Sequence, residues 1–159
     1  MSVHIRDADL TRDKPAFERF IWGSNTYEGL SEPNRRVDAQ VGVDFLPEIL
    51  KRVEKRQGRI FVAEVDGAPV GWAVCHTSEQ DVYVLEEERM YGYVAELFVD
   101  EEHRGRHIGR SLLNSCEDYF RTLGLKFVFI GALAGNSRAV NAYRAAGFAD
   151  YAIEFKKRL

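Results

Sequence analysis

The strongest structural signal in this chain is Leu-Phe-Val-Asp-Glu-Glu-His-Arg-Gly-Arg-His-Ile-Gly-Arg-Ser-Leu-Leu, residues 97–113. An apolar strand ends at Val99, and a basic loop then leads directly into a helix. The N-terminus of a helix carries about half a positive charge, so acidic side chains usually occupy its first turn. Here the side chains are basic, which is unfavourable unless an anion binds among them. The sequence therefore predicts a phosphate-binding loop that contains Arg104, Arg106, His107 and Arg110.

Two glycines in this loop, Gly105 and Gly109, favour the same interpretation. Because they lack a Cβ, backbone N–H groups can approach an anion closely. The alternative is a solvated helix start whose basic side chains bind no ligand.

Composition restricts the class of protein. A chain of 159 residues with 45% hydrophobic content is long enough for one buried core and short for two, so residues 1–159 are predicted to form a single domain. A formal net charge of −3 argues against nucleic acid as the main partner. The sequence has no apolar run of membrane-spanning length and no secretion signal, so we expect a cytoplasmic protein with no membrane partner.

Cysteine and histidine spacing gives no metal signature. Cys75 and Cys116 lie in apolar patterns and are expected to be buried thiols. His103 and His107 are four residues apart, but Gly105 interrupts the helix face that a metal-binding pair would share. We therefore expect no metal site.

Hydrophobic periodicity orders the elements before the loop. A short strand at 3–6 precedes a helix that Asp13 caps, and a long polar connection follows from Ser24 to Val41. A second helix starts at Asp44, with Pro47 in its first turn. Strands at 60–65 and 70–75 form a hairpin about Asp66-Gly67, and a further strand covers 91–99.

After the loop, the pattern predicts a helix that ends at Gly124 and an apolar strand at 126–132. Asn136 caps a helix that ends at Gly147, and a last strand covers 151–155. A strand, a helix and a strand in succession predict that 94–99 and 127–132 are parallel neighbours with a right-handed crossover.

Two segments together resemble the GNAT superfamily of acetyl-CoA-dependent N-acyltransferases. Residues 104–109 (Arg-Gly-Arg-His-Ile-Gly) are similar to its pyrophosphate loop, Arg/Gln-x-x-Gly-x-Gly/Ala. Residues 136–148 are similar to its Asn-x-x-Ala-x-x-x-Tyr-x-x-x-Gly-Phe segment. The resemblance implies an α/β fold of mixed α+β character. Its central sheet would be mixed and mostly antiparallel, with six to seven strands, a splayed parallel pair in the middle and about four flanking helices.

One residue departs from the family pattern. His107 stands where the family has glycine, so a side chain occupies the place where the backbone passes close to the pyrophosphate. We expect a helical φ angle at His107 that tolerates the side chain and leaves its N–H free to donate. The alternative is reduced cofactor affinity.

The resemblance implies acetyl-CoA as cosubstrate and assigns roles to particular residues. Glu96 would be the base that accepts the amine proton, although a solvent-facing or ion-paired glutamate is the alternative. Tyr143 would donate a proton to the departing thiolate, although it would also suit a packing position. A backbone N–H near Leu97 or Phe98 would stabilise the oxyanion. Cofactor contacts would come from Leu97, Phe98, Val99, Arg104, Gly105, Arg106, His107, Ile108, Gly109, Arg110 and Asn136.

The implied function is transfer of an acetyl group to a primary amine by direct attack in a ternary complex, with a small molecule or a peptide as acceptor. A non-catalytic acyl-CoA-binding or sensing module of the same fold is the alternative. The resemblance also leaves a homodimer open, since dimers are common in the family. A nucleotide-binding domain is disfavoured, because the sequence has no Gly-Lys-Ser/Thr phosphate loop.

Overall fold

A five-stranded sheet forms the centre of the structure, a computed structural model that describes residues 2–159. Its strands are β1 (Val3–Asp7), β2 (Arg59–Val65), β3 (Ala68–Glu79), β4 (Met90–Val99) and β5 (Val128–Ile130), and they lie across the sheet in this order. Neighbouring strands are antiparallel except β4 and β5, which are parallel as predicted. The predicted place of this pair in the middle of the sheet is wrong, because β5 is an edge strand.

Helices cover both faces of the sheet. The described part of the chain contains five α-helices: α1 (Lys14–Glu28), α2 (Gln40–Lys55), α3 (Glu86–Arg89), α4 (Ile108–Thr122) and α5 (Ser137–Ala145). On one face, α4 packs on the sheet through Leu112, Cys116 and Phe120. On the other face, Phe17 of α1 stacks on Trp72 of β3 with ring centroids 4.9 Å apart. The sheet therefore separates two apolar clusters, and Cys75 and Cys116 are buried free thiols as predicted.

The predicted number of strands is wrong, because residues 2–159 form five strands and not six to seven. Residues 151–155 alternate like a strand, but they make no backbone pairing with the sheet in the described chain. Side chains hold this segment in place instead. The Tyr151 ring stacks on Phe129 at 4.8 Å, and its hydroxyl donates to Gln80.

The boundaries of the first two helices also differ from the prediction. α1 continues to Glu28 and α2 begins at Gln40, so the polar connection is shorter than Ser24 to Val41. Pro47 lies inside α2 and not in its first turn. α2 can run close to α1 because Gly42 has no side chain. A Cβ at Gly42 would lie 2.2 Å from the carbonyl oxygen of Glu18.

The two predicted helix caps behave differently. The Asn136 side chain accepts from the N–H of Ala139 at 3.1 Å, which confirms it as the cap of α5. Asp13 precedes α1 but makes no capping bond. Its buried carboxylate accepts two hydrogen bonds from Arg6, at 2.7 and 2.8 Å, because that guanidinium is a stronger donor than a helix N–H. The Arg6 guanidinium holds the pKa of Asp13 below its usual value.

Candidate functional site

β4 and β5 separate along their length and leave a cleft of about 620 Å³ between them. The two strands pair only from Gly92 to Val94, opposite Val128 to Ile130. Beyond Val94, β4 continues to Val99 with no strand beside this edge among residues 2–159. Backbone groups of β4 therefore face the cleft, and α5 and the N-terminus of α4 form its other walls.

A β-bulge at Ala95 sets the direction of the side chains on β4. Val74 pairs with Glu96 and Cys75 pairs with Val94, so Ala95 has no partner on β3. Bulges of this kind reorient side chains and often lie next to active sites. Because side chains alternate along a strand, Glu96 lies on the same face as Phe98, which packs in the cluster of α1 and α2.

The backbone of β4 directs two N–H groups, those of Leu97 and Val99, towards the cleft. The N–H of Asp100 donates to the carbonyl of Val70 at 2.8 Å and so faces β3. N–H directions alternate along a strand, so Phe98 also faces β3, whereas Leu97 and Val99 face the cleft. The carbonyl of Val99 accepts from Arg104 Nε at 2.8 Å. Of the two residues predicted to supply an oxyanion donor, the geometry favours Leu97.

The loop before α4 contains two residues with positive φ, Gly105 at +76° and His107 at +60°. The predicted helical φ at His107 is therefore wrong, because this residue is left-handed and lies one position before the helix starts at Ile108. A side chain in this region costs about 1–2 kcal/mol, whereas glycine adopts it freely. The family's preference for glycine at this position thus has a backbone cause.

The basic side chains at this end of the cleft are partly engaged by the protein. Arg104 lies over the rings of Tyr27 and Phe98, 5.2 and 5.4 Å from their centroids. Arg110 donates to the carbonyl of Ala146 at 2.6 Å, which ties α4 to the end of α5. Each arginine still brings its charge to the cleft wall.

Two half-buried groups with shifted pKa values, Glu96 and Tyr143, line the cleft. Burial, reinforced by the nearby Glu28 carboxylate, raises the pKa of Glu96 to about 7. In the described chain, the Glu96 carboxylate has no hydrogen-bond or ion-pair partner; Arg52 acts on it only through its charge. Burial also raises the pKa of Tyr143 to about 12, and Glu28 and Glu96 add to the shift. Glu96 and Tyr143 therefore lie in one electrostatic environment.

Residues 20–148 match the family model described as the acetyltransferase (GNAT) family. This match spans most of the chain and includes the cleft. The chain belongs to the GNAT acetyltransferase family.

Individual relatives agree with this assignment. An uncharacterized N-acetyltransferase of Methanocaldococcus jannaschii is 31% identical over 62% of this chain, but the match spans only 42% of that relative's length. The structure of a mutant BH1408 protein from Bacillus halodurans superposes with a TM-score of 0.82 at 18% identity, over 98% of this chain and 99% of that one. AAC(6')-Iy, in complex with the bisubstrate analog CoA-S-monomethyl-acetylneamine, superposes at 0.69 with 18% identity over the full length of both chains. At these identities the two structures show a shared fold.

The GNAT family uses acetyl-CoA, and the residues of this cleft fit that molecule. The basic loop suits a diphosphate, and the open edge of β4 suits the amides of a pantetheine arm. Every predicted cofactor residue except Arg106 lines the cleft. Among residues 2–159, no group of three or more metal-binding side chains comes together. No helix in that range is both long and apolar enough to cross a membrane.

Glu28 is the main site residue that sequence reasoning missed. It ends α1, within the segment predicted to be a polar connection, yet it lines the cleft beside Tyr27 and Ser24. Ser24 and Glu28 are four residues apart, which places them on one helix face, and this spacing was the available signal.

Proposed function

We propose that this protein transfers the acetyl group of acetyl-CoA to a primary amine and that residues 1–159 act as a single N-acetyltransferase domain. The observation that carries the proposal is Glu96, a half-buried carboxylate without a protein partner among the described residues, which lines the cleft together with Tyr143. Membership of the GNAT family supports acetyl transfer in general. The amine acceptor and the residue roles rest on the geometry of the cleft.

The cleft offers separate groups to each part of the acetyl donor. N–H groups at the start of α4, with Arg104, His107 and Arg110, would hold the diphosphate. Backbone groups of Leu97 and Val99 would pair with the amides of the pantetheine arm. The AAC(6')-Iy complex, which holds a CoA-containing analog on the same fold, supports this assignment. Bound acetyl-CoA supplies an acetyl group activated as a thioester.

Glu96 is proposed to remove a proton from the acceptor amine. An alkyl amine has a pKa near 10.4, so exposing its lone pair at pH 7 costs about 4.6 kcal/mol. A base works best when its own pKa lies near the working pH. The pKa of Glu96, about 7, meets this condition, and its carboxylate is free to accept the proton directly or through a water molecule.

Tyr143 is proposed to act when the CoA thiolate leaves. Because the pKa of this phenol is raised to about 12, it is protonated at neutral pH and can donate a hydrogen bond to the departing thiolate. The same raised pKa disfavours complete transfer of the proton, so the role we propose is stabilisation of the thiolate as it forms. The N–H of Leu97 would stabilise negative charge on the acetyl oxygen. Because the sheet already holds this N–H in position, it does not have to reorganise during the reaction. The alternative role for Tyr143 is packing, since it also contacts the apolar cluster under α4.

Acetyl transfer is tested by measuring thiol release from acetyl-CoA with a panel of amines. We expect turnover with at least one primary amine and a fall of about a hundredfold in kcat for both Glu96→Gln and Tyr143→Phe. Asp118→Asn, on an exposed side chain of α4, is the matched control and should turn over normally. Binding of CoA without turnover of any amine would instead favour the acyl-CoA-binding module. A loss of less than threefold in Tyr143→Phe would leave that residue a packing role.

A further inference from the structure

Charge divides the cleft into two ends. Arg104 and Arg110 line the end at the phosphate loop, whereas Glu28 and Glu96 line the region where α1 faces β4. The proposed reaction uses the basic end for the cofactor and Glu96 for the reacting nitrogen. The proposed reaction does not use Glu28.

Glu28 is held in place with one oxygen left open. Its Oε2 accepts from Arg35 Nε at 2.7 Å, and Arg35 is steadied in turn by a hydrogen bond to the side chain of Asn34. Within residues 2–159, no donor reaches the other oxygen of Glu28. The side chain is 31% exposed, so this oxygen is accessible to a ligand. A carboxylate fixed in this way loses little side-chain entropy when it binds a cation.

The charge of Glu28 also reaches the two proposed catalytic groups. It lies close enough to Glu96 and Tyr143 for its charge to act on both. Two carboxylates that face one cleft repel each other, and a second positive charge in the ligand removes that repulsion. A neutral or acidic substituent on the acceptor would be repelled or left unpaired.

Most of the other charged groups around this region are already paired or balanced. Lys156 pairs with Glu32 at 2.5 Å on the connection after α1, and Glu154 lies near enough to Tyr93 to act on it. The positive charge of Arg52, on α2, acts on Glu96 and partly offsets the rise in its pKa. No side chain in the described chain forms an ion pair with Glu96.

We propose that the acceptor is an aliphatic diamine or longer polyamine, with one nitrogen at Glu96 and a second, charged nitrogen bound by the open oxygen of Glu28. This inference rests on the proposed function, because it names the substrate class of the same site. The second ammonium stays charged throughout, and the proton released by the reacting nitrogen goes to Glu96.

The test compares 1,4-diaminobutane with butylamine, which has the same chain length and one nitrogen. After correction for two equivalent nitrogens, we expect kcat/KM of the native protein to be at least about tenfold higher for the diamine, chiefly through KM. Glu28→Gln should bring this ratio to about one. Asp118→Asn should keep it.

A second variant keeps the charge and moves it. Glu28→Asp withdraws the carboxylate by about one methylene, so across diamines of two to six carbons the preferred chain should become longer by about one carbon. Equal efficiency for diamine and monoamine in the native protein, or a ratio that survives in Glu28→Gln, would overturn the inference while leaving acetyl transfer intact. Failure of every amine to release thiol would instead remove the proposed function.

Discussion

Replacing Glu96 by glutamine should make the protein more stable and much less active. The carboxyl group is half-buried in the cleft that Tyr143 also lines, and desolvation raises its pKa from 4.5 to about 7. The folded protein therefore binds this proton more tightly than the unfolded chain does. The associated stability is complete below pH 4.5 and is lost as the pH rises towards 7. Glutamine has nearly the same shape as glutamate and does not ionise, so the stability of Glu96→Gln should not fall over this pH range through ionisation at position 96.

The magnitude follows from the two pKa values of Glu96, since each pKa unit corresponds to about 1.4 kcal/mol. A rise from 4.5 to about 7 costs the native protein roughly 3 kcal/mol once the carboxyl is fully ionised. At pH 5 most of that cost is still absent. The advantage of Glu96→Gln should therefore grow by about 2.5 kcal/mol between pH 5 and pH 8.5.

Urea unfolding of the native protein and Glu96→Gln, at intervals from pH 5 to 8.5, measures this growth directly. Asp118→Asn serves as the control, because its side chain is 74% exposed and its removal should give a difference that does not vary with pH. In parallel, kcat/KM of the native protein should rise with pH to a plateau above about 7. A difference for Glu96→Gln that stays constant within about 0.5 kcal/mol would refute the half-buried, unpartnered carboxylate.

Three further substitutions test the fold around the site. Asp13→Asn leaves the Arg6 guanidinium without its buried partner and should lower the unfolding free energy by about 3 kcal/mol at pH 7. Because the pKa of Asp13 is lowered in the folded protein, urea unfolding should show this penalty shrink as the pH falls below about 4. Gly42→Ala places a Cβ 2.2 Å from the carbonyl oxygen of Glu18 and should lower the unfolding free energy by about 2 kcal/mol, so an unchanged urea midpoint would contradict the close packing of the helices. His107→Gly should raise thermal stability by about 1 kcal/mol, whereas His107→Ala keeps the left-handed strain and should not.

Local signals in the sequence predicted the centre of the fold correctly. The apolar residues 91–99, the basic loop and the amphipathic helix after it are each specified by neighbouring residues, and the structure confirms β4 and α4. The Asp66-Gly67 turn is confirmed for the same reason, since both residues adopt the positive φ that such a pair favours.

Features that depend on distant partners were not predictable in the same way. Residues 151–155 have the alternation of a strand, but a strand also needs a neighbour, and β5 is paired only over three residues. Asp13 has the composition of a cap, yet Arg6 on β1 takes its carboxylate. The position of Glu28 depends on where α1 ends and on how α1 packs across β4. The local sequence pattern predicts neither of these.

Calorimetric titration of acetyl-CoA into the protein tests whether the gap between β4 and β5 binds the acetyl donor. We expect saturable binding of one molecule per chain, accompanied by an upward shift of the melting temperature that grows with ligand concentration. No heat and no shift at a saturating concentration would contradict the binding site, and with it the assignment of Glu96 and Tyr143 to catalysis.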